Sequence, residues 1–145
     1  MKTLSFSIEI DAPKEKVWNI LWDDSTYRKW ANVFYEGSYA VSDWDQGSKV
    51  LFLGPSGDGM FSVIDKKVLN REMSFKHLGV VKDGEEQPET EESKKWAGAT
   101  ENYKLEGENG NTELEVTIEV VESHEQYFKD TFPKALEAVK NLAEN

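Results

Sequence analysis

Between Glu113 and Val120, Leu114, Val116, Ile118 and Val120 alternate with Glu113, Glu115, Thr117 and Glu119. Successive side chains of a strand point to opposite faces, so this segment has one apolar face and one acidic face. A sheet built on such a strand must hide its apolar side under another layer. The segment that follows supplies one. Phe128, Phe132, Ala135, Val139 and Leu142 recur on one side of a long helix. Ser123-His124-Glu125-Gln126 fits a capping box at its start. Pro133 lies well inside the helix, where it removes the hydrogen bond to the Lys129 carbonyl and predicts a kink.

The rest of the chain extends the sheet. Leu4, Phe6, Ile8 and Ile10 alternate with polar residues and predict a first strand. Asp11-Ala12-Pro13 opens a helix, with Pro13 at its first position, where a missing N–H costs nothing. Val17, Ile20 and Leu21 form its inner stripe, widened by Trp18 and Trp22. Asp23 and Asp24 interrupt it and cap a second short helix through Tyr27 and Trp30. Strands are expected at Gly37–Ser42, Lys49–Leu53, Met60–Leu69 and Glu72–Lys82, then around Tyr103 and Leu105. Gly54–Gly59, Asn70-Arg71 and Asn109-Gly110 are the turns between neighbours. Such short connections make the strands antiparallel. The element order is therefore strand, two short helices, six strands, long helix.

The expected fold class is α+β. A curved seven-stranded antiparallel sheet carries two short helices after its first strand, and a long C-terminal helix packs across it. A chain of 145 residues predicts one domain over 1–145, because that size buries roughly 70% of the unfolded surface. A helix about 10–12 Å wide cannot fill the concave side of so wide a sheet. Large side chains, the short helices or a ligand must take the remaining space. The chain has 5 Trp, 5 Tyr and 7 Phe with which to line or fill it.

Charge and composition remove several function classes. The net charge of −11 argues against nucleic acid and against anionic membrane surfaces. With no cysteine there is no disulfide, thiolate nucleophile or thiolate metal site. Two separated histidines offer no zinc set. Gly54–Gly59 lacks the Gly-Lys-Ser/Thr ending of a P-loop and reads as a hairpin loop. Asp43–Gly47 lacks the ligand pattern of a calcium loop. No cofactor motif is present. The N-terminus carries no signal-peptide pattern, and no stretch approaches the ~20 apolar residues of a membrane helix, so a cytoplasmic protein is expected.

Several segments resemble one known group of proteins. Ile10-Asp11-Ala12-Pro13-Lys14-Glu15-Lys16-Val17-Trp18 resembles the opening of the SRPBCC (START and Bet v 1-like) superfamily. Tyr27-Arg28-Lys29-Trp30 resembles its second-helix motif, and Gly37-Ser38 with Asp43–Ser48 the strand and turn that follow. Ser74–Gly79 with Asp83-Gly84 is similar to the subgroup named for the activator of the 90-kDa heat-shock-protein ATPase. Tyr127-Phe128 and Phe132–Leu136 resemble that subgroup's last helix. The resemblance spans essentially the whole chain. It implies the helix-grip fold, a curved sheet gripping its C-terminal helix over a cavity, and leaves a chaperone among the partners to consider.

The expected ligand is a small apolar or amphipathic molecule. Trp30, Phe34, Tyr39, Phe52, Phe61, Phe75 and Trp96 are the expected apolar lining. His77, Tyr103, Tyr127 and Thr131 are the polar groups expected to orient a ligand. His77 shares a strand face with Met73 and Phe75, with no partner evident for catalysis. His124 is expected to be exposed and incidental. Residues 83–95 carry six acids and read as a solvated, mobile loop. Trp96 behind it is either a lid or an anchor. Two further functions stay open. One is an interaction module, for a chaperone or another partner, working through the acidic loop and Glu113, Glu115 and Glu119. The other is an enzyme, a cyclase or hydrolase, with His77 as general base.

Overall fold

The computed structural model describes Met1–Asn145. Strand β1 (Lys2–Ile10) leads into helices α1 (Lys14–Trp22) and α2 (Asp24–Ala31). Strands β2 (Tyr39–Ser42), β3 (Lys49–Leu53), β4 (Gly59–Val68) and β5 (Glu72–Lys82) follow. A two-residue strand β6 (Glu85–Glu86) and a one-turn helix α3 (Glu91–Lys94) come next, then β7 (Thr100–Glu106), β8 (Thr112–Val120) and helix α4 (Glu125–Glu144). Every pairing is antiparallel. The order across the sheet is β1-β8-β7-β5-β4-β3-β2, with β6 paired to β5. This is the expected α+β helix-grip architecture, with β6 added.

Alternation sets what is buried. Leu114, Val116, Ile118 and Val120 on β8 are buried while Glu113 and Glu115 are exposed. Helix α4 packs mainly against β1, α1 and α2. Phe132 stacks on Phe6 at 5.1 Å, and Ala135 and Val139 are fully buried. The middle of the sheet is covered by the short helices instead. Trp22 sits among Trp18, Trp30, Trp44, Phe75 and Tyr103, with ring centroids 5.0–6.4 Å apart. Its indole N–H is buried without a hydrogen-bond partner. The neighbouring Trp30 indole instead donates to the Leu21 carbonyl at 3.2 Å.

Local details depart from expectation in four places. Pro13 is the N-cap of α1, extended at ψ 157°, rather than its first helical residue. Asp23 separates α1 from α2 as expected, but its carboxylate accepts from the Ser25 hydroxyl at 3.0 Å and caps no backbone N–H. The capping box at Ser123 does not form. The His124 N–H bonds the Val121 carbonyl, closing a 3-10 turn that removes Ser123 from the extended conformation an N-cap needs. Residues 83–95 are built rather than featureless. Asp83 and Gly84, at φ 52° and 81°, make the tight turn from β5 to β6. Thr90 and Ser93 exchange capping bonds around α3. Helix α4 runs through Pro133 as one element. No helix is long and apolar enough to cross a membrane.

Candidate functional site

Because α4 lies toward β1, the concave face stays open between α2, the first turns of α4 and the ends of β3, β4, β5, β7 and β8. A cavity of about 700 Å³ occupies that space. This is within the usual range of small-molecule pockets. Of its 27 lining residues, 18 are hydrophobic, and most of those are aromatic.

Each wall has a sequence origin. Helix α2 presents Tyr27, Trp30 and Ala31, and Phe34 follows just beyond its end. Helix α4 presents Tyr127, Phe128 and Phe132. Phe128 and Phe132 are four residues apart and therefore share a face. The Tyr127 hydroxyl donates to the Phe34 carbonyl at 2.7 Å and ties these two walls together. Phe52 and Met60 come from β3 and β4. Two hairpin tips meet at the mouth. The Asp83 N–H donates to Asp58 Oδ1 at 2.9 Å, and the Gly84 N–H to the Gly57 carbonyl at 2.9 Å. Trp96 is anchored rather than loose. Its carbonyl accepts from the Ala99 N–H, and the Gly98 N–H bonds the His77 carbonyl.

Of the expected lining, Trp30, Phe34, Tyr39, Phe52, His77, Trp96, Tyr103 and Tyr127 border the cavity. Phe61, Phe75 and Thr131 do not. Phe61 follows Met60 and precedes the fully buried Ser62, so alternation turns it the other way. Its ring covers Gly79, where an added Cβ would come within 2.5 Å of it, and lies 5.6 Å below the Lys49 ammonium. Phe75 points inward but is fully buried one layer down, 5.3 Å from Phe52. Thr131 sits in the buried stripe of α4 beside Phe132. His124, expected to be incidental, is exposed at the rim of the cavity.

The polar floor was not legible as a unit. Ser62 Oγ lies 2.7 Å from His77 Nδ1, and His77 Nε2 lies 3.1 Å from Glu101 Oε1. The Tyr103 hydroxyl donates to Glu101 Oε2. A carboxylate only accepts, so His77 Nε2 carries the proton. In the neutral ring Nδ1 then accepts from the Ser62 hydroxyl. Glu101 shares the inward parity of Tyr103 and Leu105 on β7. An acid on the apolar side of a strand is the signal that marks it.

Serine, histidine and glutamate in a chain resemble a hydrolase triad, but the geometry disagrees. Ser62 is fully buried and does not border the cavity, so its oxygen reaches no substrate. Both nitrogens of His77 are already bonded. No group of three or more metal-ligating side chains converges anywhere in the chain.

Two phenols record the electrostatics of this floor. Burial, and secondarily the charge of Glu101, holds the Tyr27 hydroxyl far above the ordinary tyrosine range. Tyr103 is raised by burial first, then by the charge and hydrogen bond of Glu101. Both folded values exceed the unfolded value of about 10. Their stabilising contribution is thus complete below that pH and is lost as pH rises beyond it, because the unfolded chain releases these protons first. Alkaline titration should show the two phenolates appearing only together with unfolding. Phenolate absorbance for all 5 tyrosines before any loss of circular dichroism would contradict this. Tyr27→Phe should flatten the alkaline fall in Tm.

No family model matches the sequence. No curated protein matches it. Solved structures do. The chain is similar to Aha1 from Colwellia psychrerythraea, a dimer in solution, with 20% identity and a TM-score of 0.73 over 99% of this chain and 97% of that one. It is similar to protein MLL2253 from Mesorhizobium loti at 13% identity, TM-score 0.76, over 97% and 96%. It is also similar to CalU16 from Micromonospora echinospora at 15% identity, TM-score 0.69, over 99% and 76%. At these identities the likeness shows the fold alone.

Proposed function

We propose that this chain is a small-molecule binding protein of the SRPBCC type that encloses an apolar or amphipathic ligand. The observation that carries the reading is the cavity of about 700 Å³ with 18 hydrophobic residues among its 27. An apolar ligand there removes its own surface and the exposed ring faces from water at roughly 25 cal/mol per Å². Glu101, held in place by His77 and Tyr103, supplies the polar group that orients it. The resemblance of Ser74–Gly79 with Asp83-Gly84 to the heat-shock-ATPase-activator subgroup, and the shared fold of Aha1 from Colwellia psychrerythraea, support a reading within that branch of the superfamily. A catalytic role for His77 is not favoured, because both ring nitrogens are engaged and Ser62 is out of reach.

The test is titration with 1-octanol, read by tryptophan fluorescence and by thermal unfolding. Trp30 and Trp96 border the cavity and report on its contents. A saturable fluorescence change is expected. At a hundredfold excess over Kd it should come with about 2.7 kcal/mol of added stability. A linear fluorescence response with no rise in Tm would overturn the reading.

A further inference from the structure

The cavity has a sign. Asp58, Glu101 and Glu119 border it, whereas no lysine or arginine does. Glu101 is the acid that lies among the rings. Its side chain is 24% exposed, and its one ion-pair partner is His77. Its other partner, the Tyr103 hydroxyl, is a neutral donor held protonated by its surroundings. Glu119 at the edge likewise accepts only from the Thr100 N–H and hydroxyl, both at 2.9 Å. No permanent cation neutralises either carboxylate.

Glu101 lines the same cavity as Tyr27, Trp30, Phe52 and Tyr103, whose rings pack on one another, and the Tyr103 hydroxyl bonds it directly. Aromatic faces carry negative quadrupole density and attract organic cations, most strongly where water is excluded. An anionic headgroup would meet like charge and no counter-ion. A net charge of −11 adds a long-range field of the same sign.

From this juxtaposition of an unneutralised carboxylate, aromatic walls and an apolar cavity, we infer that the ligand is an amphipathic organic cation, an amine or quaternary ammonium on a hydrophobic body. The ammonium lies against Glu101 and the rings, and the hydrophobic part fills the space toward Phe34, Phe128 and Phe132. This inference rests on the binding reading above and narrows it to one ligand class.

The test compares three octyl compounds below their aggregation concentrations by calorimetry. They are octyltrimethylammonium, its uncharged isostere dimethyloctylamine oxide, and octanoate. The cation should bind at least about tenfold tighter than the amine oxide, and octanoate weakest of the three. Glu101→Gln should bring the ratio of cation to amine oxide close to one. Equal affinities in the unaltered protein would overturn the inference while 1-octanol binding left the cavity reading standing. Absence of binding by every octyl compound, 1-octanol included, would overturn both. A full preference retained in folded Glu101→Gln would remove Glu101 from the role. Should that variant fail to fold, the comparison in the unaltered protein still decides.

Discussion

Phe75→Ala is expected to remove about 3–5 kcal/mol of stability. Phe75 is fully buried and stands at the centre of an aromatic cluster, 5.3 Å from Trp22, 5.3 Å from Phe52 and 6.3 Å from Tyr103. Truncation loses the transfer energy of the ring and leaves a void that large, stiff neighbours cannot collapse to fill. Domains are held by about 5–15 kcal/mol in total, so the variant should approach the threshold of folding. At about 2–4 °C per kcal/mol, the fall in Tm is on the order of 10 °C. Phe75→Leu retains most of the volume and should cost much less. The leucine variant should also keep its affinity for 1-octanol, because Phe75 lies behind Phe52 and does not border the cavity. Urea denaturation measures the first expectation and fluorescence titration the second. A loss below about 1 kcal/mol for Phe75→Ala would mean the ring is not packed as described.

Phe75 also shows where sequence reading succeeds and where it stops. Alternation places Phe52, Phe75, His77 and Tyr103 on the inner side of the sheet, and they are there. Alternation has no depth coordinate. It does not separate a residue that meets the cavity, such as Phe52, from one lying beneath it. For Phe61 the parity itself was decisive, since Met60 and Ser62 on either side are the inward ones. Thr131 illustrates the same limit on a helix. The buried stripe of α4 is legible, but which turn of it meets open space depends on where α2 ends. The Ser62–His77–Glu101–Tyr103 chain was hidden for a different reason. Its members come from three strands, β4, β5 and β7, whose register includes shifts between Phe61 and Ser62 and between Ile64 and Lys66. Pairing across such bulges is not written in the period of any one strand. The order of elements was legible because it depends only on local period and turns. The pairing of Asn109 with Gly110, both at positive φ in the structure, is one such local signal.

Gly59→Ala is expected to produce the second large loss, through the backbone rather than the core. A Cβ at Gly59 would lie 1.8 Å from the Phe52 carbonyl oxygen and 2.8 Å from its carbon. Both are main-chain atoms of the paired strand, so no side-chain rotation relieves the clash. Strand β4 must move away from β3 where Gly59 faces Leu53. That movement lengthens hydrogen bonds worth about 1 kcal/mol each and disturbs the hairpin tip beside Asp58. The cost should reach at least the upper part of the about 1–3 kcal/mol range for overpacking. Gly47→Ala is the control. Gly47 has φ +89°, but nothing lies within 4 Å of an added Cβ. Its cost is conformational only, on the order of 1–2 kcal/mol. The two variants therefore separate steric from torsional demands for glycine within one sheet. Because Gly54, Ser56, Asp58 and Gly59 all border the cavity mouth, Gly59→Ala should also weaken 1-octanol binding, and Gly47→Ala should not. Equal losses of stability in the two variants would show that β3 and β4 are not as close as 1.8 Å requires. Unchanged octanol affinity in a folded Gly59→Ala variant would show that ligand does not use this mouth.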